Sequence, residues 1–315
     1  MNLHQTFRAV MEGREKHHDK HPTPTMDHPL RGQLWLCVGC DLCGGERRQT
    51  MSDNFDSVIK SPYDARDYTI VAEKEFPETF SLDTVPVKNQ GSKPTCAAHA
   101  LSSVVEYHHQ RQHGQYARFS TEFIYGLREE GYYVGDGMII RNGLNTLLKY
   151  GDVYESDCEG NHNCDKAMSH VAADIDRLKE LAYPHRISAY FKIRDAEELK
   201  TALMKYGVVV ASMKVYDWHR LVKDVYTYNP SNPYGNHCVF IYGWNKDGWL
   251  VQNSWGNLYG GDGRFVIPFD FKFNEMWGVA DDITDGVIVK PKRNAVLDIL
   301  YLLINILANW KNKHS

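Results

Sequence analysis

The sequence has no surplus of positive charge, no long uninterrupted apolar run and few cysteines. Thirty-six Lys and Arg against forty Asp and Glu leave a net charge of −4 over 315 residues. No basic footprint exists for holding a phosphate backbone, so nucleic acid is not the expected partner. The first twenty residues carry charges and histidines throughout and lack the roughly seven consecutive apolar residues of a secretory signal, which leaves export by that route unsupported. Seven cysteines is an odd number in a chain too long to need stapling. At least one of them is free, metal-bound or paired between molecules, and a reducing, cytoplasmic compartment is expected. What is present is ordinary for a soluble globular protein: 43% hydrophobic and 24% charged residues, enough chain for one substantial core or two modest ones.

Residues 1–75 are rich in His, Pro, Asp and Arg, show little sustained apolar period, and are expected to form an extension outside the main core. Cys37, Cys40 and Cys43 in this stretch have metal-ligand spacing but lack an evident fourth ligand; His28 or another chain would have to supply it. No cofactor is expected. The text from Met51 reads like a natural beginning, leaving two readings of the first fifty residues: a removable leader, or a segment not translated. From Phe76 the pattern changes, and residues 76–290 read as the main domain. Cys96-Ala-Ala-His-Ala-Leu-Ser-Ser-Val-Val-Glu-Tyr keeps one apolar face and predicts a helix with the cysteine at its start. Two more helices are expected near Ser120–Arg128 and Asn142–Tyr150, the latter closed by Gly151. His99, His108 and His109 are expected on the surface of the first helix. After Pro184 short apolar runs around Val208, Cys238, Trp249 and Phe265 alternate with Gly, Asn and Asp, as in antiparallel sheet. The expected chain is therefore α+β, helical over about 90–184 and sheet over about 185–290. Residues 291–315 read as a hydrophobic helix whose apolar part, about fifteen residues, falls short of the ~20 needed to cross a membrane. Docking on the protein or on a second subunit is the first expectation, and a membrane-surface helix the second. Cys158 and Cys164 could close a small loop under oxidising conditions.

A thiol attacks a carbonyl usefully only as thiolate, and the partial positive charge at a helix start lowers its pKa. Cys96 has that placement. His237, ahead of the apolar run Cys238-Val-Phe-Ile-Tyr, is the candidate proton acceptor, and Asn253 follows sixteen residues later across a turn around Asn245–Gly248. The Asn253 amide oxygen could fix the imidazole while Trp255 shields that bond from water. Gln90, six residues before the cysteine, can share oxyanion binding with the Cys96 N–H. Singly, each of these residues is unremarkable; a lone helical Cys is usually a small core hydrophobe.

Val87-Lys-Asn-Gln-Gly-Ser-Lys-Pro-Thr-Cys96 resembles the active-site segment of the papain and cathepsin (C1-type) cysteine peptidases. Asn253-Ser-Trp-Gly-Asn-Leu-Tyr-Gly-Gly-Asp-Gly resembles the second signature of that family, and Glu122 after Ser120-Thr its structural Ser-Glu segment. The resemblance covers about Val85–Ile267. It implies a papain-like fold of two subdomains with the cleft between them, a cysteine-type peptidase acting on peptide or protein substrates through an acyl-enzyme, and no cofactor. It also implies substrate contacts at Gly137 and Met138 and a small, apolar pocket lined by Ser212 and Cys238 without an obvious charge. Lys93 stands where the family usually has a structural cysteine, Ala97 replaces the aromatic after the nucleophile, Tyr259 replaces a second tryptophan, and the usual inhibitory propeptide has no match, as in a divergent bacterial or viral-type branch. A catalytically silent peptide-binding homologue and an acyl-transferring ligase or transpeptidase are the alternatives. The extension has propeptide position without propeptide sequence, so self-cleavage is a further expectation.

Overall fold

A long helix laid against a longer strand organises the chain. The computed structural model describes residues 55–65, 67–128, 136–158, 164–216, 219–281 and 288–289. Four short strands open the order: β1 (Phe55–Asp56), β2 (Val58–Ile59), β3 (Thr69–Ile70) and β4 (Phe80–Ser81). Then come α1 (Cys96–His113), α2 (Thr121–Gly126), β5 (Met138–Ile139), α3 (Ile140–Lys149), α4 (Cys164–Ala173) and α5 (Ile175–Ala182). The second half holds β6 (Ala189–Ile193), α6 (Ala196–Lys205), β7 (Val209–Tyr216), β8 (His219–Val222), β9 (Val225–Tyr228), β10 (Pro233–Asn245), β11 (Gly248–Gln252), β12 (Arg264–Ile267), β13 (Glu275–Ala280) and β14 (Ile288–Val289).

Local sequence explains the boundaries. α1 ends at Gly114, whose φ of +68° suits a residue without Cβ and whose N–H closes on the Gln110 carbonyl at 2.8 Å. α2 starts where the Ser120 hydroxyl accepts from the Phe123 N–H at 3.1 Å. The β10–β11 hairpin turns at Asn245, whose side-chain oxygen accepts from the N–H groups of Asp247 and Gly248.

The main sheet runs β6-β13-β7-β10-β11-β12-β9-β8, with β1 and β4 also paired to β10. The long strand β10 divides two cores by simple alternation. Cys238 and Phe240 join α1, α3 and Trp277 in one cluster, while Val239 and Ile241 join Leu199, Leu203, Trp244 and Phe265 in the other. Beneath α1 lies a buried ion pair: Lys88 Nζ sits 2.8 Å from Glu106 Oε1 and donates to Ser102 Oγ and the Phe119 carbonyl. Those extra partners offset the cost of removing the two charges from water.

Three expectations need correction. The segment before residue 76 does not lie wholly outside the core, because Val58 and Ile70 are buried within the two clusters. Composition averaged over the stretch hides these two isolated apolar anchors. His99 and His108 are buried, since α1 is enclosed on nearly every side from Cys96 to His108, and an amphipathic pattern cannot reveal a helix covered all round. The sheet half also contains a helix, α6, capped by Asp195 accepting from Glu198 N–H. Cys37, Cys40 and Cys43 and the C-terminal stretch 291–315 lie outside the described residues, and among those described no helix is long and apolar enough to cross a membrane.

Candidate active site

Cys96 opens α1, and its sulfur meets the backbone of β10. The thiol donates to Ser57 Oγ at 3.3 Å, and Ser57 in turn donates to the Asn236 carbonyl at 2.7 Å. Backbone hydrogen bonds from Cys238, Ala97 and Cys96 itself also reach the sulfur. Cys96 is thus held beside residues 236 and 238, the two neighbours of His237. Helix-start N–H groups favour the thiolate, yet burial dominates and pushes the thiol up to about 11. The sequence-based expectation of a depressed pKa therefore fails for this arrangement, in which Cys96 is fully buried.

The His237 ring donates from Nε2 to Asn253 Oδ1 at 2.7 Å. The Trp255 ring stacks on the imidazole with centroids 4.4 Å apart, and Tyr259 meets Trp255 edge-on. Asn253 Oδ1 also accepts from the Ser254 N–H at 2.7 Å, which fixes the amide independently of the imidazole. Behind it, the Asn253 N–H reaches the Gly263 carbonyl at 3.0 Å. Gly263 has φ +77°, and a Cβ there would stand 2.5 Å from Val87, so the tight approach of the two signature loops requires glycine.

Gln90 is buried and anchored at both ends of its amide. Its Oε1 accepts from Ser254 Oγ at 2.6 Å and its Nε2 donates to the Lys93 carbonyl at 2.8 Å. Its backbone N–H donates to the Ser254 carbonyl at 2.8 Å, and Asn89 bridges Trp255. A primary amide has two N–H donors, so one remains to act beyond Lys93. The loop carrying Gln90 and the loop carrying Asn253, Ser254 and Trp255 are thus one hydrogen-bonded unit. The signature residues Asn253-Ser-Trp-Gly point to Ser254, whose part as the link to Gln90 sequence reading missed.

The expected substrate contacts also come together. Met138 and Cys238 share a buried cluster with Val58, and the Met138 N–H donates to the Ser57 carbonyl. Gly137 is buried, its carbonyl accepting from Arg128. Ser212 lies opposite Cys238 in β7, its hydroxyl accepting from Asn274, whose amide also donates to Asn236 Oδ1 at 2.8 Å. The surroundings of Ser212 and Cys238 are not free of charge, contrary to expectation. Glu275 pairs with Ser212 across β13 and β7, its buried carboxylate accepting from Lys192, Trp277 Nε1 and the Ser61 N–H. Nothing in the local sequence around Glu275 signals this, because β13 is brought beside β7 only by the fold.

Cys158 is a free thiol. Among the described residues, Glu122, Cys158 and His170 each bring a ligand atom within 4.8 Å of the others, a set compatible with a borderline metal ion. Glu122 and His170 already hydrogen-bond each other directly, which accounts for their approach.

The model of the papain family cysteine protease matches residues 78–284. An uncharacterized peptidase C1-like protein of Acanthamoeba polyphaga mimivirus is 26% identical over 310 residues, covering 82% of this chain and 96% of its own. A cathepsin B-like cysteine proteinase of Haemonchus contortus is 28% identical over 173 residues, 53% of this chain and half of that relative. Among solved structures, xylellain, a cysteine protease from Xylella fastidiosa, superposes with a TM-score of 0.63 at 22% identity, covering 75% of this chain and 98% of that one. The α+β architecture is that of the papain fold, with a helical part and a mostly antiparallel sheet. The matched segment includes Gln90, Cys96, His237 and Asn253, and the chain belongs to the papain family of cysteine proteases.

Proposed function

We propose that the chain is a cysteine peptidase that hydrolyses peptide bonds with Cys96 as nucleophile, His237 as general base and acid, Asn253 as the group orienting the imidazole, and Gln90 as oxyanion donor. The observation that carries this reading is the 2.7 Å bond from His237 Nε2 to Asn253 Oδ1 beneath Trp255. It commits one ring nitrogen to orientation, so Nδ1 handles the thiol proton.

The chemistry follows from these positions. The Cys96 proton passes to His237, and the sulfur attacks the peptide carbonyl carbon while the carbonyl electron pair moves onto oxygen. That oxyanion is met by the second Nε2 hydrogen of Gln90 and the Cys96 N–H. Collapse breaks the C–N bond, His237 gives its proton to the departing amine, and a thioester remains. Water attacks the thioester with His237 again taking a proton, and the released thiolate recovers it.

The test combines active-site labelling with turnover. The full chain and Cys96→Ala are incubated with a thiol-directed epoxide and with a diverse peptide pool. Expected are one adduct on Cys96 and cleavage products absent from Cys96→Ala. A folded chain that neither takes label nor cleaves any peptide above the Cys96→Ala background overturns the reading.

A further inference from the structure

Away from Cys96, a carboxylate, a thiol and an imidazole converge between α2 and α4. Glu122, Cys158 and His170 each bring one ligand atom within 4.8 Å of the others. The fold holds all three. Gly126, one turn after Glu122 on the same face of α2, touches α4 so closely that a Cβ there would stand 2.4 Å from Val171 Cγ2 and 2.7 Å from the Ala167 carbonyl oxygen. That approach sets Glu122 beside His170, the neighbour of Val171, and the two side chains hydrogen-bond through Oε1 and Nδ1. Cys158 is fixed from the other side. Its carbonyl accepts from the Ser120 hydroxyl at 2.9 Å, and Ser120 is the residue that caps α2. The thiol is free, and Cys158 packs with Phe123, Val171 and Leu178 in a third cluster, apart from the two that share β10.

The bond between Glu122 and His170 leaves part of this corner unexplained. Glu122 is 5% exposed, and its second carboxylate oxygen, Oε2, is buried with no hydrogen-bond partner. A buried acceptor of this kind is costly unless something occupies it. We propose that Glu122, Cys158 and His170 form a binding site for a borderline divalent cation of the zinc type, with water as the fourth ligand. The donor set argues the class: a thiolate and an imidazole select a zinc-like ion, whereas calcium and magnesium take oxygen ligands. Ligands about 2.0–2.3 Å from a tetrahedral ion stand about 3.3–3.8 Å apart, so a contraction of about an ångström closes the site. On binding, the Cys158 sulfur releases its proton to solvent and the His170 proton moves from Nδ1 to Nε2. Lone pairs of the sulfur, of Nδ1 and of the carboxylate then go to the ion. One thiolate and one carboxylate balance its two charges, which suits a corner this buried. The His170 side chain is half-exposed, so the ion and its water are reached from that side. The bound ion ties α2, the segment ending at Cys158 and α4 together.

The experiment reads metal binding and involves no turnover, so its outcome is independent of the peptidase reading. The full chain, freed of metal with a chelator, is titrated with Co²⁺ in wild type, Cys158→Ser, His170→Ala and Cys96→Ala, each checked for a cooperative melt. Expected is a sulfur-to-cobalt charge-transfer band with a component that Cys158→Ser abolishes and Cys96→Ala retains. His170→Ala should weaken the affinity behind that component at least about tenfold, since even the loss of a group that only supports a ligand costs 10–100-fold. Zn²⁺ should erase the component, and Mg²⁺ at the same concentration should leave it. If Cys158→Ser, a change at a buried position, fails to melt cooperatively, the half-exposed His170→Ala decides. The proposal is overturned if wild type shows no such component, if folded His170→Ala keeps it at full affinity, or if it disappears in Cys96→Ala. Displacement by Mg²⁺, or none by Zn²⁺, overturns it equally.

Discussion

A thiol enclosed on all sides ionises reluctantly, whatever the helix beneath it offers. At Cys96 burial outweighs the hydrogen bond shared with Ser57 and those from the backbone of Cys238, Ala97 and Cys96, and pushes the thiol up to about 11. The raised value means the protonated form persists across the neutral range. Alkylation of wild-type Cys96 should therefore rise about tenfold per pH unit from pH 6 to 9 without a plateau, since only the thiolate reacts. A plateau reached by pH 7, measured by mass mapping, would contradict this. The roles of Asn253 and Gln90 separate in kinetics. Asn253→Ala removes the acceptor that orients the imidazole, and kcat/KM should fall toward the limit set by losing general-base catalysis, about 10²–10⁴-fold. Gln90→Ala removes the proposed oxyanion donor, so kcat should fall about 10²–10³-fold with KM little changed.

Between residue and domain, the two signature loops act as one element. The bonds Gln90 N–H to Ser254 carbonyl and Gly256 N–H to Lys88 carbonyl lace them together, and the Gly263 turn supports Asn253 from behind. Gly263→Ala should cost about 1–3 kcal/mol from its positive φ alone, plus the clash with Val87, and lower the urea midpoint. An unchanged midpoint would show that the loop accommodates a Cβ without strain. Much of this element was legible beforehand. A cysteine ahead of an Ala-Leu-Val helix, a histidine opening an apolar run, and Asn-Ser-Trp after an Asn-Lys-Asp-Gly turn are local patterns that geometry converts directly into strand and helix ends. Ser57, Asn236 and Glu275 were not legible, because each acts through a partner 39 to 214 residues away in sequence. The burial of His99 and His108 was hidden for a related reason, as polar residues on a helix enclosed by sheet, loops and other helices carry no periodic mark.

Across the whole molecule, the cleft is a seam between two cores that share β10, with α1 buried along the seam. One consequence is a dependence of stability on pH. His108 is buried and its pKa is lowered to about 3, chiefly by desolvation and further by Arg111. The unfolded chain binds that proton near pH 6.5, whereas the folded one resists it down to about 3. Stability from this group is therefore complete above pH 6.5 and declines as pH falls through that window, by up to ~5 kcal/mol. Denaturant titrations at pH 7 and pH 4 should lose less stability in His108→Phe than in wild type; equal losses would assign the acid sensitivity elsewhere. A second feature is that segment 55–61 joins both halves beside Cys96, through β1 paired with β10 and β2 paired with β5. That placement adds to the burial that keeps the Cys96 thiol neutral.

The most direct test compares the wild-type chain with Cys96→Ala on one peptide pool read by mass spectrometry. Cleavage products are expected from the first and none above background from the second. Identical product sets from both, or no product from either while both melt cooperatively, would contradict Cys96 as the nucleophile of a peptidase.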